Sequence, residues 1–280
     1  MDPLVTTDWL AGQLGSADLR IVDATYFLAG SGRDARAEYE EAHIPGAAFF
    51  HLPDLSDDDT KLPNMLPPAY KFASRVQALG IGDSSRIVVY DNSPLHSSAR
   101  AWWMFRAYGA RQVAILDGGM AKWQAEGRPV ESGQAECGHA HFTPMLAAQA
   151  VADKAFMLTN LGERTHQVLD ARSAERFAGS GGPDKHGLLG GHIPGSVNLP
   201  HDRLFNSDNS FKRGEALKAE FDAVGIDLDR PLVTTCGSGV TAAALLFGAH
   251  LLGKDDVKLY DGSWSEWGAD PDTPKATLSQ

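Results

Sequence analysis

The segment Thr234-Thr235-Cys236-Gly237-Ser238-Gly239-Val240-Thr241 places a thiol between hydroxyl residues and glycines. The apolar run Pro231 to Thr235 predicts a strand, and Val240 to Leu252 has the spacing of a helix. Cys236 therefore stands where a strand ends and a helix begins. Backbone N–H groups at such a point lack partners and carry partial positive charge. A thiol held there loses its proton more readily, at a pKa of roughly 3.5 to 7.5 rather than about 8.5, and the thiolate is the nucleophile. Gly237 and Gly239 permit a tight turn whose amides converge on an anion. The expected chemistry is covalent catalysis through Cys236. Ser238 donates a hydrogen bond into the loop, and Gly237, Gly239, Val240 and Thr241 line the bound group. A free cysteine can instead serve as a small buried apolar residue. The flanking glycines at a strand-to-helix turn favour reactivity. The other cysteine, Cys137, has no such setting and is taken as incidental.

The elements around this loop come in two copies. His43-Ile44-Pro45-Gly46 returns as His192-Ile193-Pro194-Gly195, and Ile21-Val22-Asp23-Ala24 returns as Val168-Leu169-Asp170-Ala171. Leu79-Gly80-Ile81 is matched by Val224-Gly225-Ile226, Asp117-Gly118-Gly119 by Asp261-Gly262-Ser263, and Trp123 by Trp267. The pairs keep their order, at offsets between 144 and 149 residues. Ordered matches at nearly one offset mean a duplicated domain. The expected division is residues 1–131, a linker over 132–144, and residues 145–280. In the first half, strands are expected at Leu19 to Asp23, Arg86 to Tyr90 and Val113 to Leu116, and helices at Tyr70 to Leu79 and Ser97 to Tyr108. The second half repeats the order, with strands at Gln167 to Leu169, Pro231 to Thr235 and Val257 to Tyr260, and helices at Glu215 to Val224 and Val240 to Leu252. Alternation of this kind predicts an α/β fold, each half a mainly parallel sheet with helices on both faces. Sites in such folds form at the carboxyl ends of strands.

Rival readings of the loop are weaker. Gly237-x-Gly239-x-x-Ala242 has dinucleotide-binding spacing, with Asp261 about 20 residues on. It lies late in the chain, however, and the repeat aligns it with Asn92-Ser93-Pro94. A cysteine phosphatase needs an arginine shortly after its cysteine to grip phosphate with two hydrogen bonds. Here Val240, Thr241, Ala242 and Ala243 follow instead.

The formal charge of −11 argues against nucleic-acid binding, which needs clustered Lys and Arg. No apolar stretch reaches the length of a membrane span, and no His/Cys/Asp/Glu set has metal-ligand spacing. Asp57-Asp58-Asp59 reads as a solvated loop. Two cysteines in 280 residues suit a reducing compartment. Met1 to Leu10 lacks the pattern of a secretory leader, so a cytoplasmic protein is expected.

Taken together, the tandem halves, His-Ile-Pro-Gly in both, Arg100-Ala101-Trp102-Trp103-Met104-Phe105-Arg106 and Asp261-Gly262-Ser263-Trp264-Ser265-Glu266-Trp267 resemble the rhodanese superfamily. The resemblance runs over nearly the whole chain. It implies an inactive first domain and a second that carries a persulfide-forming cysteine. The repeat agrees, because Asp91 holds the place of Cys236. Cys-Gly-Ser-Gly-Val-Thr is similar to the loops of family members that use 3-mercaptopyruvate, whereas those using thiosulfate place basic residues after the cysteine. The implied reaction carries sulfur from this small-molecule donor through Cys236 to thioredoxin, a small thiol or cyanide, without cofactor or metal. The sequence does not fix the oligomeric state; a monomer is expected because two domains packed together suffice. Arg176 matches the first arginine that the family uses for the donor carboxylate, and Lys185, beside His186, stands at the second. Lysine supplies charge there but not the two-pronged guanidinium fork. The family often has a histidine before Met-Leu-Pro and an upstream aspartate for proton transfer. Here Asn64 and Pro53 stand at those places, and Asn64 cannot act as a base. His43 and His192 are read as structural.

Overall fold

A computed structural model describes residues 1–180, 188 and 190–278. Contacts divide the chain into two units, each discontinuous in sequence. The first holds Met1–Asp57, Leu66–Ala147 and Asn206–Phe211; the second holds Asp58–Met65, Ala148–Phe205 and Lys212–Gln280.

In chain order the first unit forms β1 (Leu4–Val5), α1 (Thr7–Ala11), β2 (Leu19–Asp23), α2 (Ala35–Glu41), β3 (Ala47–Phe49), α3 (Ala69–Ala78), β4 (Arg86–Tyr90), α4 (Ser98–Ala107), β5 (Val113–Leu116) and α5 (Gly119–Ala125). The second forms β6 (Val151–Ala152), α6 (Lys154–Glu163), β7 (Gln167–Asp170), α7 (Ala174–Ala178), β8 (Val197–Asn198), α8 (Gly214–Ala223), β9 (Leu232–Thr235), α9 (Ala242–Leu251), β10 (Val257–Tyr260) and α10 (Ser263–Trp267). Each unit has a five-stranded sheet, in the orders β1-β5-β4-β2-β3 and β6-β10-β9-β7-β8. Every strand pair in both is parallel.

Parallel neighbours need crossovers, and these are right-handed. In the first sheet the chain steps one way from β1 through β3 and the other way from β3 to β5. Right-handed crossovers then put α1 and α2 on one face and α3 and α4 on the other. Phe72 of α3 meets Phe105 of α4, while Leu10 of α1 and Trp123 of α5 share a separate core cluster with Ile21, Val88, Tyr90 and Leu116. In the second unit, Met157 of α6 and Trp264 and Trp267 of α10 pack with Val168, Val233 and Tyr260. Strands covered on both faces are apolar or fully buried throughout, and Leu232–Thr235 of β9 is buried along its whole length.

The direction of travel also reverses between neighbouring strands. From β7 the chain crosses outward to β8, and from β9 it crosses the opposite way to β10. A crevice opens at the carboxyl ends of such a strand pair, and ligands bind there. The segments after β7 and after β9 are those carrying Arg172, Arg176 and Cys236.

The expected strands and longer helices are present within a residue or two, and the structure adds edge strands of two or three residues, which have too few positions to show a period. One boundary matters for the chemistry. The helix expected from Val240 begins at Ala242, with Thr241 as its cap residue, so Val240 and Thr241 belong to the loop. Ser132 to Pro144 has no regular element. It is nevertheless held to the first unit: Phe142 is buried against Phe72, and Asp83 accepts the Thr143 N–H and O–H at 2.6 and 2.9 Å.

Asp23 and Asp170 are duplicates of one buried position with different partners. Arg172 grips the Asp170 carboxylate, with Nη2 at 2.6 Å. Thr25 stands where Arg172 would be, and it supplies its N–H at 2.9 Å. Burial without a guanidinium raises the Asp23 pKa from 3.8 to about 6. The folded state therefore holds this proton more tightly than the unfolded chain. Its contribution favours folding at low pH and is lost as pH rises through about 6. Asp23→Asn is expected to stabilise the protein by up to about 3 kcal/mol at pH 8 and by little at pH 4. Urea denaturation at the two pH values checks this, and an equal effect at both would contradict it.

Candidate active site

Cys236 immediately follows β9 and is 2% exposed. The start of α10 holds its backbone from both sides. The Cys236 N–H donates to Ser263 Oγ at 3.2 Å, and its carbonyl accepts the Trp264 N–H at 3.0 Å. Gly237 O accepts the Ser265 N–H and O–H at 2.9 and 2.7 Å. Gly239 turns the loop at φ 76°, and Thr241 is right-handed at φ −73°. Among the described residues, the N–H groups of Gly237, Ser238, Val240 and Thr241 have no acceptor. Loop amides in this state next to a helix start are suited to holding an anion.

The first unit shows what such a loop binds. Asp91 follows β4 in the place of Cys236. Its carboxylate accepts the N–H of Ser93 at 2.9 Å and of Ser98 at 2.7 Å. The duplicated loop thus fills its own amide cradle with a covalently attached carboxylate. In the second unit the corresponding side chain is a thiol.

Arg176 lies on α7, a single turn capped by the Ser173 side chain and ended by Gly179 at φ 77°. Its guanidinium lies beside the cysteine loop: a β-carbon on Gly237 would be 3.4 Å from Arg176 Nη2. A side chain at 237 would touch the guanidinium at ordinary van der Waals distance, and of the two loop glycines only Gly239 takes a left-handed backbone. Ser238 is half-buried. Asn64, whose segment belongs to this unit, donates through Nδ2 to Ser238 Oγ at 3.0 Å. An amide N–H only donates, so the Ser238 oxygen is the acceptor and its own proton is left to donate elsewhere. Asn64 takes a left-handed backbone, φ 60°, which asparagine tolerates well. Lys185 lies outside the described residues.

Cys236, Gly237, Ser238, Gly239, Val240, Thr241 and Arg176 therefore come together around one loop. His43 and His192 do not join it. Each ring Nδ1 faces a backbone carbonyl, of Tyr39 at 2.8 Å and Phe177 at 2.9 Å, and each ring stacks on that same residue. Both cysteines are free, and Cys137 is exposed in the first unit. Among the described residues no group of His, Cys, Asp and Glu is placed to hold a metal ion, and no helix is long and apolar enough to cross a membrane.

Sequence reasoning missed the support beneath this loop. Arg172 is 3% exposed, paired with Asp170, bonded to Gly191 O at 2.7 Å and 4.4 Å from the Trp264 ring centre. Ser263, Trp264 and Ser265 hold the loop backbone. The signal available for Ser263 was its replacement of Gly119 in an otherwise repeated Asp-Gly turn.

Comparison with known proteins places these features in a family. The profile of the rhodanese-like domain matches residues 6–126 and again residues 155–270. The mouse protein named 3-mercaptopyruvate sulfurtransferase is 43% identical over 270 residues, covering 94% of this chain and 91% of the relative. The bovine protein named thiosulfate sulfurtransferase is 41% identical over 272 residues, with the same coverages of 94% and 91%. The crystal structure of SseA from Escherichia coli, described as a 3-mercaptopyruvate sulfotransferase with the rhodanese fold, superposes with a TM-score of 0.86 at 38% identity. It covers 95% of this chain and 100% of SseA. The repeat, the two matching sheets and the cysteine loop thus have one explanation: the chain belongs to the rhodanese-like family and carries its domain twice.

Proposed function

We propose that this chain is a sulfurtransferase that takes sulfur from 3-mercaptopyruvate onto Cys236 and passes it to a thiol or to cyanide. The observation that carries the reading is the Cys236 loop, with open amides around a buried thiol and a guanidinium beside it. The Cys236 thiolate attacks the thiol sulfur of the donor. The new S–S bond forms as the donor's C–S bond breaks, and the electron pair leaves as the enolate of pyruvate. The enolate takes a proton, and the Ser238 hydroxyl, oriented by Asn64, donates its hydrogen bond to the oxygen where charge develops. The acceptor thiolate then attacks the outer sulfur of the Cys236 persulfide, and the Cys236 thiolate is released. Loop amides favour the anionic sulfur in both states, as the matching loop favours the Asp91 carboxylate.

Arg176 supplies the charge for the donor carboxylate, with Lys185 as the second cation. A charged hydrogen bond of this kind is worth about 1.5–3 kcal/mol. Arg176→Ala is expected to raise KM for 3-mercaptopyruvate by about 10- to 100-fold while changing kcat less. Steady-state pyruvate release checks this, and an unchanged KM would remove Arg176 from the site.

Donor choice rests on Gly237 and Ser238, which are small and neutral and suit a monoanion better than the thiosulfate dianion. Relatives named for either donor lie at similar identity, 43% and 41%, so overall likeness does not separate them. A thiosulfate enzyme and a carrier fed by a partner protein are the alternatives. The proposed setting is cytoplasmic, with thioredoxin or a small thiol as acceptor. Action as a monomer is part of the same proposal. The deciding experiment is intact mass after exposure to each donor, with pyruvate assayed alongside. A gain of one sulfur atom, faster from 3-mercaptopyruvate, is expected. Faster loading from thiosulfate would reassign the donor, and loading from neither would favour the protein-fed carrier.

A further inference from the structure

Ser263 begins α10 in a conformation that serine disfavours. Its φ is 50°, in the left-handed region. Its duplicate in the first unit is Gly119, at φ 55°. There a β-carbon would lie 2.4 Å from the Asp91 carbonyl oxygen, so only glycine fits. The second unit places a side chain at the equivalent point and buries it completely. Nothing about the backbone alone calls for serine there, since the first unit makes the same turn with glycine.

The hydrogen bonds show what the side chain adds. In both units the residue after this position donates its N–H to the loop: Met120 to Asp91 O and Trp264 to Cys236 O, each at 3.0 Å. In the first unit the loop residue is further held through its side chain, by the Ser93 and Ser98 amides. Cys236 cannot be held in that way if its sulfur is to react. The Ser263 hydroxyl instead accepts the Cys236 N–H at 3.2 Å and donates to Tyr260 O at 2.8 Å. Donation to a carbonyl polarises the hydroxyl oxygen and makes it a better acceptor. Both backbone groups of Cys236 are then clamped while its side chain stays free.

We propose that Ser263 is a positioning residue for Cys236, retained in a strained conformation because its hydroxyl fixes the Cys236 amide. The proposal rests on Cys236 being the sulfur-carrying nucleophile. Strain kept at a functional point is expected when removing it would cost function. Two substitutions separate strain from clamp. Ser263→Gly removes both, while Ser263→Ala removes the hydroxyl and keeps the strain.

Single-turnover sulfur loading, thermal melting and hydrogen exchange at the Cys236 amide are measured on the full chain. Loading is expected to fall about tenfold or more in both variants, with the donor concentration for half-maximal rate little changed. Ser263→Gly is expected to melt at or above wild type, and Ser263→Ala below it. The Cys236 amide should exchange faster in both. A more stable yet slower enzyme is not what a merely structural serine would produce. Wild-type loading by Ser263→Gly, or unchanged amide exchange, would overturn the proposal. Amide exchange reads the clamp with no donor present. A wild type that takes up no sulfur would therefore count against the function and leave the clamp to be judged on exchange.

Discussion

Cys236→Ser is expected to lower sulfur loading by at least about 10³-fold, because an unactivated hydroxyl cannot replace the thiolate as a sulfur-accepting nucleophile. Stability should change by only about 1 kcal/mol, since the new hydroxyl finds open loop amides and leaves no large cavity. The duplication supplies a sharper comparison. Cys236→Asp recreates the residue that the first unit holds on its own amides, at 2.9 and 2.7 Å. It should be equally inactive, yet more stable than Cys236→Ser at neutral pH. Intact-mass loading and urea denaturation of both variants check this pair. Retained loading in either variant would move the nucleophile elsewhere. An aspartate variant less stable than the serine variant would mean that the second loop does not favour an anion.

The second large effect is on folding. Arg172 and Asp170 are each about 1% exposed along their side chains and are joined by several hydrogen bonds, the shortest at 2.6 Å. Arg172→Ala leaves a carboxylate buried without its cation, which costs about 3–5 kcal/mol. The guanidinium also packs 4.4 Å from the Trp264 ring centre, and the Trp264 N–H holds the Cys236 carbonyl. Loss of stability should therefore be accompanied by slower sulfur loading in the fraction that stays folded. Combining Arg172→Met with Asp170→Leu removes both charges and is expected to recover most of the stability. A double variant no better than Arg172→Ala would show that the packing of the arginine, and not the orphaned charge, sets the cost. Denaturant midpoints for the three proteins decide this.

The site was partly legible before the structure. A nucleophile loop between a strand and a helix is a local event, and its residues are contiguous. That is why Cys236, Gly237, Ser238 and Gly239 could be picked out together. Arg176 was reached only through the resemblance to a family, because nothing in its local sequence distinguishes a site arginine from a surface one. Arg172, Ser263 and Trp264 were not assigned roles. Ser263 and Trp264 act on Cys236, and Arg172 reaches the Trp264 ring, all across long sequence separations about which local periodicity carries no information. The helix boundary at Ala242 also escaped, because Val240 and Thr241 fit the helical spacing, whereas the loop needs them in the turn.

The duplication, the alternation of strands and helices, and the presence of a thiol in only the second copy of the loop can be read from the residues alone. These follow from repeated words and from periods of hydrophobicity, which burial imposes on any chain. The strand orders, and with them the reversal of chain direction between β7 and β9, are settled only in the folded chain. Tertiary structure also decided that Asp23 goes without a guanidinium while Asp170 has one, and that a strained serine clamps the cysteine from behind. Those outcomes depend on which side chains meet across the fold, and only the folded chain brings them within hydrogen-bonding distance.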